Sequence, residues 1–390
     1  MPSSPHTGWF SLVSATLTAV VVGFASTILL IMEAARNAGA TPSQQASWAA
    51  ALCFGMAISS LILSWRYRMP MITAWSTPGA VLIATSGGGI SYPEALGAFV
   101  VAGLLMVVAG LIKPLERAIE KIPAPIAAAM LAGVLLRYTL GVPGAALAMP
   151  LAVLPLVIVF FGLRLSYPLY AVPVVVVAGV AMAGISGSFA GDCCSFGITA
   201  LEWTTPVFDL GTILSIGVPL FLVTMASQNL PGFAVLRASG YQPPVQPALI
   251  VTGATSMALA PFGSHAINMA AITASIVTGP DCHPDPRKRW LIAWPYLVLY
   301  GLIGLMAASF VAVLGALPKE LITAIAGLAL FSPLMGSITT MMKEPRDIES
   351  ALITFLVTAS GLTIAGVGSA FWGLVAGLAL FGARHLIKRA

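Results

Sequence analysis

Long apolar runs, separated by short clusters of charge, set the pattern of this chain. Phe10–Met32, Tyr138–Leu163, Leu165–Gly191, Leu210–Leu236, Ala238–Pro280, Trp290–Pro318 and Ala351–Ala383 contain no Asp, Glu, Lys or Arg. Each is long enough for the ~20 residues that cross a bilayer, and the longest must hold more than one pass. The pattern predicts spans at 10–34, 44–65, 71–88, 94–112, 123–140, 146–163, 168–187, 209–230, 245–257, 259–278, 290–314, 319–338, 348–366 and 368–386, fourteen in all. No stretch is left over for a separate soluble domain.

Two of these spans are broken in the same way. Met69–Gly89 and Ala258–Ser275 are uncharged, cut by Pro and Gly (Pro78-Gly79 and Pro261-Phe-Gly263), and dotted with small polar residues. Irregular backbone at membrane depth is tolerated only inside protein or beside a cavity. Each segment therefore reads as a short extended stretch followed by a half-helix. The first half-helix is expected to start near Ser76–Gly79 and the second near Gly263–His265. Their N-termini, facing each other near the midplane, would offer free N–H groups and positive dipole ends to an anion. Ser76, Thr77 and Ser264 are suitable caps.

Composition agrees with the pattern. Of 390 residues 58% are hydrophobic and 8% charged, against about 25% charged in soluble proteins, which points to a polytopic membrane protein. With the N-terminus inside, 15 of the 18 Lys and Arg fall at inner span ends; only Arg36, Arg137 and Lys319 fall outside. That bias supports the span count and cytoplasmic termini. It also explains the net charge of +5 without nucleic acid as a partner.

Seven is odd, so a second unit of seven spans enters from the opposite side and the repeats are inverted. The predicted fold is all-α with 14 transmembrane segments as 7+7 inverted repeats, spans 3 and 10 being part strand and part half-helix. Residues 1–190 form the first repeat, 191–208 an extracytoplasmic connection and 209–390 the second repeat. Residues 115–121 read as an amphipathic helix at the cytoplasmic interface. Met1-Pro-Ser-Ser-Pro-His-Thr7 lacks the features of a secretory signal, so the first apolar run is expected to be a span.

Few polar residues interrupt the other spans. Gln228 and Asn229 sit ahead of Pro231-Gly232, as interhelical glue or as substrate ligands. His265 and Asn268 share the second broken segment. His265 is the first candidate for a coupled proton, because its unperturbed pKa lies near physiological pH. Glu33, at the end of the first span, is the second. The four cysteines form no CxxC, and the adjacent Cys193 and Cys194 are expected to be free thiols. Asp281-Cys-His-Pro-Asp285 suits a turn better than a metal site. The absence of paired intramembrane acids, HExxH and a Walker A motif argues against an enzyme, a metal, a cofactor or ATP drive.

Three stretches carry a family resemblance: Ala74-Trp-Ser-Thr-Pro-Gly-Ala80, Ser227-Gln-Asn-Leu-Pro-Gly-Phe-Ala-Val-Leu236 and Pro261-Phe-Gly-Ser-His-Ala-Ile-Asn268. They resemble, in order, signature stretches of the benzoate/proton symporter (BenE) family. The resemblance implies uptake of benzoate, driven by protons, across the bacterial inner membrane. The wider likeness is to nucleobase–ascorbate transporters. It implies a core domain of about 10–112 and 209–314, a gate domain of about 123–187 and 319–386, and a possible homodimer through the gate. Those carriers usually place Glu in the eighth span and near the tenth half-helix. Here Gln228 and Ser264 or His265 stand instead, which fits an anionic substrate that a buried Glu would repel.

The expected site therefore holds a carboxylate between the half-helix ends, with Ser76, Thr77, Gly79, Gly263, Ser264, His265, Asn268 and the Gln228 or Asn229 amide around it. Trp75 and Phe262 are candidate walls for a ring. The expected partners are benzoate or a similar aromatic monocarboxylate, protons and membrane lipid. A channel or uniporter of the same fold is the alternative.

Overall fold

The computed structural model describes residues 5–86, 90–112, 123–168, 170–189, 197–270, 272–280, 282–364 and 367–387. The helix expected at 115–121 and the Cys193–Cys194 pair lie outside these residues. The apolar runs are helices: α1 (Pro5–Asn37), α2 (Pro42–Tyr67), α3 (Thr77–Thr85), α4 (Tyr92–Leu111), α5 (Ala124–Thr139), α6 (Gly141–Ala148), α7 (Pro150–Ser166) and α8 (Ala171–Ile185). The second half of the chain contributes α9 (Leu210–Ala238), α10 (Val245–Leu259), α11 (Ile272–Val277), α12 (Ala293–Leu305), α13 (Ala307–Gly315), α14 (Lys319–Ala329), α15 (Phe331–Met341), α16 (Ile348–Ser360) and α17 (Ser369–Ile387). Two short strands, β1 (Thr73–Trp75) and β2 (Ile267–Met269), pair antiparallel.

Among the described residues six helices are long and apolar enough to cross a membrane, or seven counting the bent pair that ends in α12 and α13. Two expected spans differ in detail. The helix begun by α5 continues through Leu140 into α6 and ends only at Met149. The stretch 319–338 runs as one helix, α14 continuing into α15 through Leu330. The stretch 290–314, expected to be continuous, bends by 57° between Leu305 and Ala307. The bend has a cause remote in sequence. Thr199, from the connection between the halves, donates its N–H (2.8 Å) to the Leu305 carbonyl and accepts from Ala308 N–H (2.8 Å). A hydroxyl inserted into the helical ladder kinks it.

Two bundles share the helices. In one, α4 packs on α10 and α2 on α12; in the other, α5 packs on α15 and α16, and α16 on α17. Glycines allow the α4–α10 approach. A Cβ on Gly103 would lie 3.0 Å from the Gly253 carbonyl oxygen, and one on Gly253 would lie 2.8 Å from that of Gly103. Apolar side chains gain little from leaving lipid, so backbones must come close for dispersion to hold such helices together. The strand pair lies inside the first bundle, against α2, α9 and α10.

Candidate functional site

The site begins with a backbone problem. Without water, every N–H and C=O of a two-stranded ladder needs a protein partner. The register pairs Thr73 with Met269, Ala74 with Asn268 and Trp75 with Ile267. Beyond the strands, Ser76 N–H donates to Ala266 O and Ala270 N–H to Ile72 O, each at 3.0 Å. The outward N–H groups go to side chains of neighbouring helices. Thr73 N–H donates to Ser60 Oγ (2.9 Å) on α2, and Ile267 N–H to Ser256 Oγ (2.8 Å) on α10. Met269 N–H donates to Asn229 Oδ1 at 2.9 Å. Tyr296 OH, from α12, donates to the Thr73 carbonyl at 2.8 Å. The remaining outward N–H, that of Trp75, makes no hydrogen bond among the described residues.

Ser76 ends the first strand and starts α3, and it is held at every polar atom. Its Oγ lies 2.8 Å from Thr224 Oγ1 and accepts the Gly79 N–H at 3.1 Å, so it is the N-cap. Its carbonyl lies 2.9 Å from His265 Nε2. With the Asn268 amide oriented as its bonds require, Asn268 accepts from Ser76 N–H and donates to the Met269 carbonyl, each at 3.0 Å.

His265 is wholly buried and bonded at both nitrogens. The Trp48 indole N–H donates to its Nδ1 at 3.1 Å. An indole nitrogen only donates, so Nδ1 accepts and the hydrogen sits on Nε2, which donates to Ser76 O. The ring links α2 to the start of α3. A second proton on Nδ1 would face the indole N–H.

The other expected residues divide. Thr77, half-buried at the first position of α3, makes no hydrogen bond among the described residues through its hydroxyl or its N–H. Pro78 has no N–H, and Ser76 takes those of Gly79 and Ala80, so Thr77 supplies the open donors of this helix start. Gly79 is buried against α9: a Cβ there would lie 2.3 Å from Leu220 Cδ1. Trp75 donates its indole N–H to Thr27 Oγ1 at 2.8 Å and packs among Phe24 and Tyr300. Asn229 is fully buried on a π-helical turn (Met225–Asn229) of α9, and its amide also contacts the Met225 and Met106 sulfurs. Gln228, on the same turn, is half-buried and makes no hydrogen bond among the described residues. Glu33 is half-buried near the end of α1 and accepts from Asn37 Nδ2 at 3.3 Å.

Two expectations are corrected. The second half-helix does not begin at Gly263–His265. Those residues precede β2, and α11 begins at Ile272. Gly263 ends the preceding helical turn with φ +104°, which makes it a stop rather than a start. Ser264 is not a cap; its Oγ is buried without a partner. Phe262 meets Trp203 edge-on, ring centres 5.4 Å apart. α3 follows one end of the three-residue ladder and α11 the other, so the two helix starts flank the strand pair.

Sequence reasoning missed Trp48, Ser60, Thr224, Ser256 and Tyr296. The available signal was the cluster Ser59-Ser60 and Ser64 within an apolar run, hydroxyls that need partners at that depth. The turn 282–285 is local: His283 Nδ1 accepts from Asp285 N–H at 3.0 Å. Burial pushes the Cys282 thiol up to about 12.

The sequence profile of the BenE family, described as benzoate membrane transport protein, matches residues 8–382. Inner membrane protein YdcO of Escherichia coli is 40% identical over 359 residues, 92% of each chain. The benzoate membrane transport protein of Acinetobacter baylyi is 33% identical over 360 residues, 92% of this chain and 91% of that one. The fold is similar to that of the transmembrane domain of the cyanobacterial bicarbonate transporter BicA, with a TM-score of 0.61 and 16% identity over 95% of this chain and 97% of that one. It is also similar to the murine Solute Carrier 26 family member A9 anion transporter in its inward-facing state. There the TM-score is 0.66, with 12% identity over 97% of this chain and 68% of that one.

Proposed function

The chain belongs to the benzoate membrane transport protein (BenE) family, a family of membrane transporters and not of enzymes, and from that premise we propose a specific mode of action. It imports benzoate or a related aromatic monocarboxylate across the bacterial inner membrane by proton symport. Its fourteen spans form 7+7 inverted repeats with cytoplasmic termini. The first bundle is the core and the second the gate, and rocking of one against the other gives alternating access. Lipid covers the exposed apolar residues of α7 and α8, such as Leu151, Ile158 and Val177. A homodimer through the gate is part of this reading.

One observation carries the proposal: two broken spans meet in a strand pair whose edge and following half-helix leave donors open. An antiparallel pair always has a local two-fold, so the ladder alone says little. The supporting detail is that Thr73 and Ile267, related by the same offset of 194 as Ile72 and Ala266, each donate to a serine of the preceding span. Among the described residues Trp75 N–H, Thr77 N–H and hydroxyl, and the Gln228 side-chain amide remain open, and they are the donors proposed for the carboxylate. Among the described residues no Asp or Glu is buried, so nothing of like charge opposes an anion there. Burying a benzoate ring against the aromatic group around Trp75 contributes roughly 2–3 kcal/mol. The carboxylate mainly orients it, because lost hydration must first be offset.

In this reading Ser76, Asn229, His265 and Asn268 hold the donors in place, and Gly79 lets α3 approach α9. With both His265 nitrogens engaged, the coupled proton falls to Glu33. The test is uptake of labelled benzoate into proteoliposomes with and without an inward pH gradient, with salicylate, uracil and sulfate as competitors. Accumulation that needs the gradient and yields to salicylate alone is expected. Glu33→Gln should lose accumulation and keep counterflow exchange, while His265→Gln should weaken both. Flux without accumulation or saturation would instead mean a channel. Loss of accumulation alone in His265→Gln would return the proton to that ring.

A further inference from the structure

The two half-helices end differently, and one end crosses between the bundles. At the C-terminus of α11 the Thr278 carbonyl accepts from Arg289, a buried residue of the turn (Pro286–Ile292) that leads into α12. That cap belongs to the same bundle as the helix it closes. At the C-terminus of α3 the Ala84 carbonyl accepts from Asn37 at 2.9 Å, and the Thr85 carbonyl accepts from Arg137 of α5 at 3.4 Å. Arg137 comes from the other bundle. Cations are favourable at helix C-termini, so both arginines stabilise the ends they touch.

The Arg137 guanidinium is also pressed against the end of α16. Gly361 stands there at φ +69°, and a Cβ on it would lie 2.9 Å from the guanidinium carbon. Around it lies a cleft lined by Leu82, Ser86 and Ser215 from the first bundle and by Val134, Gly368 and Ser369 from the second. No carboxylate pairs with Arg137 among the described residues; Glu349 and Arg384 form the salt bridge found there. The contact to Thr85 is long and exposed, and three neighbouring hydroxyls already donate to carbonyls: Ser86 to Leu82 O and Ser215 to Thr212 O within their own helices, and Ser369 of α17 to Thr358 O of α16. Arg137 is therefore the charged donor of the cleft with spare capacity for an incoming anion.

We propose that Arg137 is an anion-released latch between the bundles: its guanidinium closes the cleft by capping α3, and a carboxylate that takes it opens the way toward the strand pair. The anion's identity rests on the reading above; the latch itself does not. A carboxylate binds a guanidinium with two parallel charge-assisted bonds, stronger than a single long bond to a helix carbonyl. Substrate and α3 thus compete for one group, and arrival of the substrate unties the bundles.

The test uses Ser215→Cys, a buried position of the cleft, in a protein whose Cys53, Cys193, Cys194 and Cys282 are replaced by Ala, held in lipid nanodiscs. The readout is the rate of labelling by a hydrophilic maleimide. Adding Arg137→Gln should raise that rate roughly two- to fivefold, the scale of a charge at a helix end, and Arg137→Lys should raise it less. With Arg137 intact, saturating benzoate should raise the rate and neutral benzamide should not. Equal labelling with Arg137 and with Gln in its place overturns the latch, as does a rise with benzamide that matches the rise with benzoate, or no rise with any carboxylate. If Arg137→Gln aggregates, the benzoate–benzamide arm still decides. A latch that opens to other carboxylates but not to benzoate, together with absent benzoate uptake, would sink the proposed substrate and leave the latch standing.

Discussion

The two broken spans carry the same punctuation and use it in opposite ways. In the first, Pro78 and Gly79 lie inside α3, just after the Ser76 cap, where a missing N–H costs nothing because that position has no intrahelical acceptor. In the second, Pro261 and Gly263 close the helix before β2, Gly263 in the left-handed conformation. One Pro-Gly pair starts a helix; the other stops one. The consequence reaches the edge of the ladder. Met269 N–H is capped by Asn229, whereas its counterpart on the other strand, Trp75 N–H, stays open. Among the described residues β2 thus has both outward donors capped and β1 has one capped, at Thr73, and one open, at Trp75, so a pair with local two-fold symmetry is left asymmetric by a single N–H.

The sharpest break in this comparison is Gly263→Ala. It forces an L-residue into the left-handed region, at roughly 1–2 kcal/mol, and sets a Cβ 2.8 Å from the Trp48 Cα. Thermal unfolding in detergent should fall by many degrees and uptake should disappear. Gly79→Ala should be milder, since the nearest obstacle is the flexible end of Leu220. Equal damage would mean that the two glycines do the same job.

The next effect concerns the sealed edges. Ser60→Ala and Ser256→Ala each orphan a buried N–H, and Asn229→Ala orphans that of Met269. Each should cost about 1–3 kcal/mol, read from denaturant or thermal unfolding. The two serine variants should agree more closely with each other than with Asn229→Ala. A cost for Ser60→Ala near zero would end the equivalence of the two preceding spans.

A smaller effect is expected from Trp48→Phe, which keeps the ring and removes the donor to His265 Nδ1. Stability should drop by about 1 kcal/mol. The pH profile of uptake should shift, and the shift should disappear when His265→Gln is added; an unchanged pH profile would show that the indole bond does not fix the imidazole. The smallest effect belongs to Asp209, the exposed cap of the helix that carries Asn229. The Thr212 backbone N–H holds its carboxyl below the ordinary value. A depressed carboxyl stabilises above its unfolded pKa and loses that contribution as pH falls. Asp209→Asn should therefore lower the melting temperature slightly at neutral pH, and the difference should vanish well below about pH 4.

Much of this was legible in the linear pattern. Charge-free runs fixed the helices because a helix satisfies its own backbone groups in hydrocarbon, and Ser76 with Pro78-Gly79 marked the start of α3 correctly, since cap and first-turn signals are local. Trp75, Thr77 and Gln228 were singled out as polar or aromatic groups at depth. The position of α11 was not legible: Pro-x-Gly fits the beginning or the end of a helix, and only the left-handed φ of Gly263, beside Trp48 with no room for a Cβ, separates them. Nor was the bend at Leu305–Ala307, which needs Thr199 from more than a hundred residues away.

By itself, then, the sequence determined that this chain lives in a membrane, where its backbone must break and which small polar residues attend the breaks, because those follow from hydropathy and local stereochemistry. Tertiary structure decided which donors are spent and which stay open, how His265 is tied between Trp48 and Ser76, and which bundle supplies each half-helix with its terminal arginine. Such choices depend on the partner an atom finds across the fold, and spacing along the chain does not encode that partner.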